Sequence, residues 1–320
     1  MGTIKNLSYI VTANTNPYEN LALEKYLLEN VKPDEIILYL WQNAKTVVCG
    51  RNQNIWKECK VDELIKDGGY PTRRLSGGGA VFHDLGNLNF TFLVSKENFN
   101  VNKQLSVLAK ACEMLGIKVK KTGRNDVVAF LPKENKGRKF SGNAFHELPG
   151  AKTNDGVARK CHHGTIMIDV DSSLLEKYLN VDKEKFESKG VDSVSSRVCN
   201  LKQIKKNITV EKMKDAMIKA FEEVYKHSAT KIDDIDKSLY KFDADYFKSD
   251  SWLYENNIKF DYRVHKRYDW GDFDLRVKVD KGIISDIVLC SDAMDENYIL
   301  ELNQKYKGLI GTEFKNDLLQ

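Results

Sequence analysis

Hydrophobic and polar residues recur along the chain with two different periods, which predict a mixture of helices and strands. In residues 17–30 apolar positions recur every three or four residues, and Asn16 and Pro17 suit the N-cap and the first helical position, so we predict a helix there. In residues 87–95 apolar side chains occupy alternate positions instead, which is typical of a strand.

The same two patterns assign the other elements. We predict further strands at 35–43, 46–51, 117–121, 126–131, 138–146 and 162–170. We predict further helices at 103–115, 173–179 and 209–226. The polar residues 148–160 predict a mobile loop.

A polar stretch at 229–258 separates these elements from a β-rich tail. Residues 267–292 predict a β-meander with a turn at Lys281-Gly282, and residues 295–306 predict a helix. We therefore expect an α/β (α+β) protein with a large catalytic domain at residues 1–245 and a small C-terminal α+β accessory domain at residues 246–320.

Composition narrows the class of protein. The chain has 320 residues, and its net charge of +4 comes from 50 basic and 46 acidic residues, a balance too mild to predict nucleic-acid binding. No apolar run approaches the roughly 20 residues of a membrane span, and we see no signal peptide. The six cysteines are scattered, and no pair has metal-ligand or redox spacing, which favours reduced thiols in a cytoplasmic protein.

The most informative segment is RRLSGGGAVFHD at residues 73–84. Glycines let the backbone approach a ligand and present N–H groups, and Arg73 and Arg74 bring cations with donors suited to phosphate or carboxylate. The segment therefore predicts an anion site. It is not a Walker A loop, because no Gly-Lys-Ser/Thr follows the glycines. A glycine-rich turn with solvated arginines would explain the glycines alone.

Three later motifs, GRND (123–126), RKFSG (138–142) and HHGT (162–165), follow this segment. In this order and spacing the four motifs resemble the lipoate–protein ligase A family, densely over residues 7–225 and more weakly in the tail. The resemblance implies a biotin/lipoyl ligase-like fold, with a mixed, mainly antiparallel sheet flanked by helices. It also implies the reaction: lipoate and ATP form lipoyl-AMP, and a lysine of an acceptor protein then takes the lipoyl group.

The resemblance assigns roles to individual residues. Lys139 is the expected catalytic residue, in contact with the lipoyl carbonyl and the α-phosphate, and Arg74 is expected beside both. The other expected contacts of ATP or the adenylate are Gly77, Gly78, Gly79, Ala80, Val81, Phe82, Asn125 and Asp126. Asp126 is also the expected ligand of Mg²⁺. The lipoyl group is expected to contact Trp41, Ser76, His83, His163 and Thr165, besides Arg74 and Lys139.

The resemblance also implies the partners. Acceptors would be lipoyl domains of 2-oxoacid dehydrogenase E2 subunits or the glycine-cleavage H protein, and we expect a monomer that binds neither nucleic acid nor membrane. The sequence departs from the family pattern at the polar insert 148–160, which puts the shape of the adenylate-binding loop in doubt. It departs again at Cys161, where an aromatic residue is familiar.

Other functions stay open at this point. Cys161 beside His162 could serve an ATP-independent octanoyl or lipoyl transferase, and a non-catalytic module that binds lipoyl domains is a further alternative. A biotin–protein ligase would carry GRGRxGR-like and KWPND-like motifs, and neither is present. The sequence shows no Ser/His/Asp or metal-binding His/Cys constellation, so we do not predict hydrolysis.

Overall fold

The computed structural model describes residues 4–122, 126–180 and 198–315. Its strands are β1 (Asn6–Val11), β2 (Glu35–Trp41), β3 (Thr46–Cys49), β4 (Tyr70–Arg73), β5 (Val81–His83), β6 (Asn87–Ser95), β7 (Val119–Thr122), β8 (Asp126–Ala129), β9 (Arg138–Leu148), β10 (Arg159–Met167), β11 (Ala229–Lys231), β12 (Tyr262–Tyr268), β13 (Gly271–Asp280) and β14 (Ile283–Cys290). Its helices are α1 (Pro17–Asn30), α2 (Ile55–Glu58), α3 (Val61–Lys66), α4 (Val101–Met114), α5 (Ser172–Tyr178), α6 (Val210–Tyr225), α7 (Lys241–Lys248), α8 (Asp250–Leu253) and α9 (Glu296–Lys307).

An eight-stranded sheet with the order β11-β1-β2-β6-β10-β9-β8-β7 forms the centre of the fold. Strand β1 pairs in parallel with β2 and β11, and the remaining neighbours are antiparallel. The α/β class and the mainly antiparallel sheet are therefore confirmed. The predicted helices at 17–30 and 209–226 correspond to α1 and α6.

The central strand β6 is buried on both faces, and the two faces have different chemistry. Leu88, Phe90 and Phe92 pack into an apolar core with α4 and α6. Because side chains alternate along a strand, Asn89 and Thr91 point to the opposite face, which α1 covers. A buried face with polar side chains needs partners for them, and the candidate site lies there.

Two smaller sheets complete the described structure. Strands β4, β3 and β5 form one, with β3 in the middle, and β12, β13 and β14 form the other. The C-terminal meander is confirmed, and Lys281 (φ 50°) and Gly282 (φ 82°) form its tight turn. No helix within the described ranges is both long enough and apolar enough to cross a bilayer.

The polar insert at 148–160 lies at one end of the large sheet. It joins the end of β9 to the start of β10 as a hairpin connection, in which Arg159 pairs with Asp155 at 2.7 Å. Lys139 stands at the other end of β9, roughly 30 Å away along the strand. The insert therefore does not form a loop beside Lys139.

Candidate active site

A β-bulge directs the side chain of Lys139. Val127 pairs with Ser141 and Val128 pairs with Lys139, so Phe140 is an extra residue in β9 and turns into the apolar core. Lys139 Nζ consequently lies on the α1 face, where a Cβ added to Gly142 would be 2.9 Å from it. The amine forms an ion pair with Asp126 Oδ1 at 2.7 Å.

The two adjacent arginines have different partners. All three guanidinium nitrogens of Arg73 donate to backbone carbonyls, among them those of Gln53 (2.7 Å) and Leu253 (2.6 Å), and the side chain is fully buried. Arg73 therefore joins segments of the backbone, and the expectation that it serves an anion was wrong.

Arg74, by contrast, lies in the candidate site beside Ser76. It donates from Nε to Ser76 Oγ at 2.9 Å and from its other nitrogens to the carbonyls of Val48, Gly77 and Gly79. Burial lowers its pKa to about 10. Among the described residues no carboxylate forms an ion pair with it, so an anion bound beside it would supply a missing counter-charge.

The glycine loop is held between β3 and the C-terminal region. Gly78 has φ +89° and donates its N–H to Ala293 O at 2.8 Å. A Cβ at Gly77 would lie 2.4 Å from that same oxygen, and one at Gly50 would lie 2.0 Å from Gly78 O. These glycines are therefore required first for close packing of backbone on backbone.

The other residues expected at the nucleotide follow this loop. Ala80 and Val81 are partly buried, and β5 forms one edge of its small sheet. Phe82 packs against Tyr178 with ring centroids 5.9 Å apart, so its side chain belongs to a core and a ligand would meet its backbone. Asp126 opens β8 beside Lys139, and Asn125 lies outside the described residues.

The structure assembles a hydrogen-bonded chain that the sequence did not reveal. Ser76 Oγ lies 2.6 Å from His163 Nε2, and His163 Nδ1 lies 2.9 Å from Glu24 Oε1. Thr91 donates to the same Glu24 oxygen at 2.6 Å. Burial raises the pKa of Glu24, but the charge and hydrogen bond of His163 and the hydrogen bond of Thr91 outweigh it and leave the pKa lowered. Glu24 is thus a buried carboxylate.

Glu24 could have been noticed in the sequence. It occupies a position within α1 whose neighbours Leu23 and Leu27 are buried, and it is itself only 3% exposed. A charged residue on the buried stripe of a helix signals a partner, since burial of an unpaired carboxylate is costly.

Trp41 and His83 extend the same region. Trp41 Nε1 donates to Thr91 Oγ1 at 3.1 Å, and its ring lies edge-on to His83 at 6.5 Å. His83 Nδ1 is 3.3 Å from Asn43 Nδ2, whereas Nε2 is buried and has no hydrogen-bond partner among the described residues. Burial, followed by repulsion from Arg74 and His163, lowers the pKa of His83 to about 3.

Thr165 connects this region to Lys139. Its Oγ1 accepts a hydrogen bond from Gly142 N at 3.2 Å, close to the lysine amine. His163 follows on the same face of β10, roughly 7 Å from Thr165. Trp41, His163, Thr165 and Lys139 therefore share one face of the large sheet, and Arg74, Ser76 and His83 lie against that face.

Cys161 and His162 do not form a catalytic dyad. Successive residues of β10 point to opposite faces, and His162 lies among Phe90, Phe92 and Phe145 on the other face. Burial lowers the pKa of His162 to about 3. Burial, with the nearby carboxylates of Glu24 and Glu296, raises the pKa of the Cys161 thiol well above its ordinary value, which favours the protonated thiol, and His162 cannot act as its base.

Residues 16–222 match the family model described as the lipoyl protein ligase A/B catalytic domain, and residues 257–320 match the bacterial lipoate protein ligase C-terminus. The chain is 34% identical to a lipoate-protein ligase A of Blochmanniella floridana, over 95% of this chain and 88% of that protein. It is 35% identical to one of Psychrobacter cryohalolentis, over 92% and 85% of the two chains.

A crystal structure of P. falciparum LipL1 in complex with lipoate has a similar fold. The TM-score is 0.79 at 31% identity, over 97% of this chain and 91% of that chain. Together with the two family models and the two relatives, this likeness covers both the large sheet and the C-terminal sheet. The chain therefore belongs to the lipoate-protein ligase A family.

Proposed function

We propose that this chain is an ATP-dependent lipoate–protein ligase. It activates lipoate with ATP to lipoyl-AMP, releases pyrophosphate, and transfers the lipoyl group to the ε-amine of a lysine on an acceptor protein. The observation that supports this function best is the bulge in β9, which turns the Lys139 amine onto the sheet face against which Ser76 and Arg74 lie. A β-bulge at such a position re-aims one side chain at the expense of regular pairing.

The first step joins two anions, the carboxylate and the α-phosphate, so cations must offset their repulsion. Lys139 would contact the carbonyl oxygen and the phosphate, and would polarise that carbonyl again as the acceptor amine arrives. Arg74 would meet the same anions, since it has no carboxylate partner among the described residues. Asp126 Oδ1 lies 2.7 Å from Lys139 Nζ, and this ion pair would give way to contacts of both residues with the bound substrates.

The nucleotide would lie along residues 77–82 with Asn125 and Asp126 beside it. Mg²⁺ fits this set, because it is typically held by one or two carboxylates together with phosphates, and the Asp126 carboxylate is partly exposed at the start of β8. Asp126 would hold the ion, which would neutralise phosphate charge. The lipoyl group would lie along Trp41, His83, His163 and Thr165, with Ser76 at its head.

The acceptors would be lipoyl domains of E2 subunits or the H protein, and the enzyme would act as a cytoplasmic monomer. All six cysteines are unpaired and buried, which agrees with a reducing compartment. The division into residues 1–245 and 246–320 stays a prediction. The Cys161 transferase is disfavoured, because Cys161 and His162 point to opposite faces of β10.

The test of this function is lipoate-dependent ATP–pyrophosphate exchange, followed by mass analysis of a purified lipoyl domain. We expect exchange without the acceptor and a lipoylated acceptor once it is added. Transfer without ATP would support a transferase instead. If neither exchange nor transfer is observed, a non-catalytic module that binds lipoyl domains becomes the better proposal.

Lys139→Ala is the matching variant. We expect both half-reactions to fall by about 10²–10³-fold, because the amine would contact the bond formed in each step. Its melting temperature should change little, since the side chain is about a third exposed. Lys120→Ala, on the exposed part of β7, is the control and should keep full activity. Activity of Lys139→Ala within a few-fold of the unmodified protein would refute the role.

A further inference from the structure

Three side chains with different donor atoms converge beside the residues that we propose contact the lipoyl group, and one of the three, His163, belongs to that set. Cys161 and His163 are two residues apart on β10 and share one face, and Glu24 reaches them from α1. One donor atom from each, sulfur, nitrogen and oxygen, lies within 4.8 Å of the other two. The three residues are 2%, 7% and 3% exposed.

We propose that Glu24, Cys161 and His163 form a binding site for one thiophilic divalent ion of the Zn²⁺ class. A tetrahedral zinc ion with ordinary bond lengths separates its nitrogen, oxygen and sulfur ligands by roughly 3.3–3.6 Å. His163 Nδ1 and Glu24 Oε1 are already 2.9 Å apart, so the site closes around an ion with side-chain shifts of about 1 Å.

Charge balance favours such an ion in this buried location. Glu24 carries one negative charge, and Cys161 releases its proton to solvent on binding and contributes a second, while His163 binds as neutral imidazole. Two negative charges and one divalent ion leave a neutral complex, which removes the main cost of burying the charges. The ion takes the place of the proton between His163 Nδ1 and Glu24, and that proton passes through solvent to His163 Nε2, so the imidazole stays neutral and only the thiol proton is released.

The surrounding residues already support the ligands. With Nδ1 bound to the ion, His163 carries its remaining proton on Nε2, which lies 2.6 Å from Ser76 Oγ. Thr91 donates to Glu24, and Trp41 donates to Thr91. Such outer hydrogen bonds fix the orientation and tautomer of metal ligands.

The donor set selects the class of ion. Thiolate, imidazole and carboxylate together suit Zn²⁺ or Co²⁺, whereas Mg²⁺ and Ca²⁺ prefer oxygen ligands. Three protein ligands leave a fourth coordination position open. One consequence, which rests on the proposed function, is that the ion and lipoate compete for the protein, because His163 would contact both.

The experiment uses the full chain, reduced with a phosphine and stripped of metal with a chelator. Co²⁺ is added while the thiolate-to-cobalt absorption band is followed, and Zn²⁺ is then used to displace it. We expect one equivalent to saturate the band, Zn²⁺ to abolish it and Mg²⁺ to leave it unchanged. Absence of the band at one equivalent would overturn the proposal.

The variants assign the band to these residues. Cys161→Ala should abolish the band, and Glu24→Gln should weaken the binding of Co²⁺. Cys112→Ala removes a buried thiol on the other side of the sheet and should leave the band and the affinity unchanged. A band of full intensity in Cys161→Ala would refute the site, and circular dichroism checks that each variant is folded. This readout needs no lipoate, so it stands apart from the exchange assay. Lipoate, added after the phosphine has been removed so that its dithiolane stays oxidised, would support the competition if it lowers the affinity of the protein for Co²⁺.

Discussion

At the scale of single residues, Arg73 and Arg74 are adjacent in the sequence but have different roles in the structure. A fully buried arginine that donates only to carbonyls stabilises the backbone around it, and Arg73 connects the segment 50–53 to 252–253 in this way. The sequence could predict two cations before a glycine loop. It could not tell which one faces the site, because that depends on carbonyls about 180 residues away.

Arg73→Met should therefore lower the free energy of unfolding by about 3 kcal/mol, because it leaves several buried carbonyls without donors. Urea denaturation measures the loss. Arg138→Met is the control, because its partner Glu134 is about a third exposed and such surface pairs contribute at most about 1 kcal/mol. Equal losses in the two variants would contradict the structural role of Arg73.

Glu24 should make stability depend on pH in the acid range. Its pKa is lowered in the folded protein, so its contribution is fully present above the unfolded value near 4.5 and is lost as the pH falls through the folded value. Glu24→Gln should flatten the fall in unfolding free energy below pH 4.5. Glu97→Gln, an exposed glutamate, serves as the control, and identical pH profiles for all three proteins would exclude this contribution.

At the scale of elements, strand length decided only in part which strands the sequence could reveal, because β1, with six residues, was missed as well. Strand β6 has nine residues with clear alternation and was predicted with its correct bounds. Strands β5 and β11 have three residues each, too few to show a period, and were missed. The bulge in β9 was also missed, because it exists only through pairing with β8. The motif therefore predicted Lys139 as a site residue, but only the structure shows which face of the sheet its side chain points to.

Gly77→Ala tests how the glycine loop is held. The added Cβ would lie 2.4 Å from Ala293 O and 2.8 Å from Met294 O, and backbone must move to admit it. We expect a loss of about 1–3 kcal/mol in stability and faster hydrogen exchange at the Gly78 amide, which donates to Ala293 O. Gly308→Ala, with its nearest neighbour at 3.2 Å, is the matched control. Unchanged exchange at Gly78 would contradict this packing.

At the scale of the whole molecule, the C-terminal sheet contacts the large unit through polar groups. Glu296 Oε1 lies 3.0 Å from His146 Nδ1, Asn52 donates to Glu296 O, and Ser291 N donates to Asn52 O. The sequence predicted both units but not this contact, because residues 52, 146 and 296 are far apart in the chain. The contact matters for the site, since it holds residues 293–294 against the glycine loop.

Lys57 forms a charged link between the two units and gives the last prediction. Its amine lies 2.9 Å from Asp272 and 3.7 Å from Asp274, whose side chains are 9% and 1% exposed. Lys57→Met should weaken the docking of the C-terminal sheet by about 1–3 kcal/mol, because it removes a charged hydrogen bond from nearly buried carboxylates.

Exchange at the Ser291 amide reports this docking, since its acceptor Asn52 O belongs to the large unit. We expect faster exchange in Lys57→Met and no change in Lys60→Met, an exposed neighbour. Combining Lys57→Met with Asp272→Asn should add less than the sum of the two single losses, because both remove the same ion pair. Additive losses would mean that Lys57 acts within its own helix, and the docking would then depend on the neutral hydrogen bonds at Asn52 and Ser291.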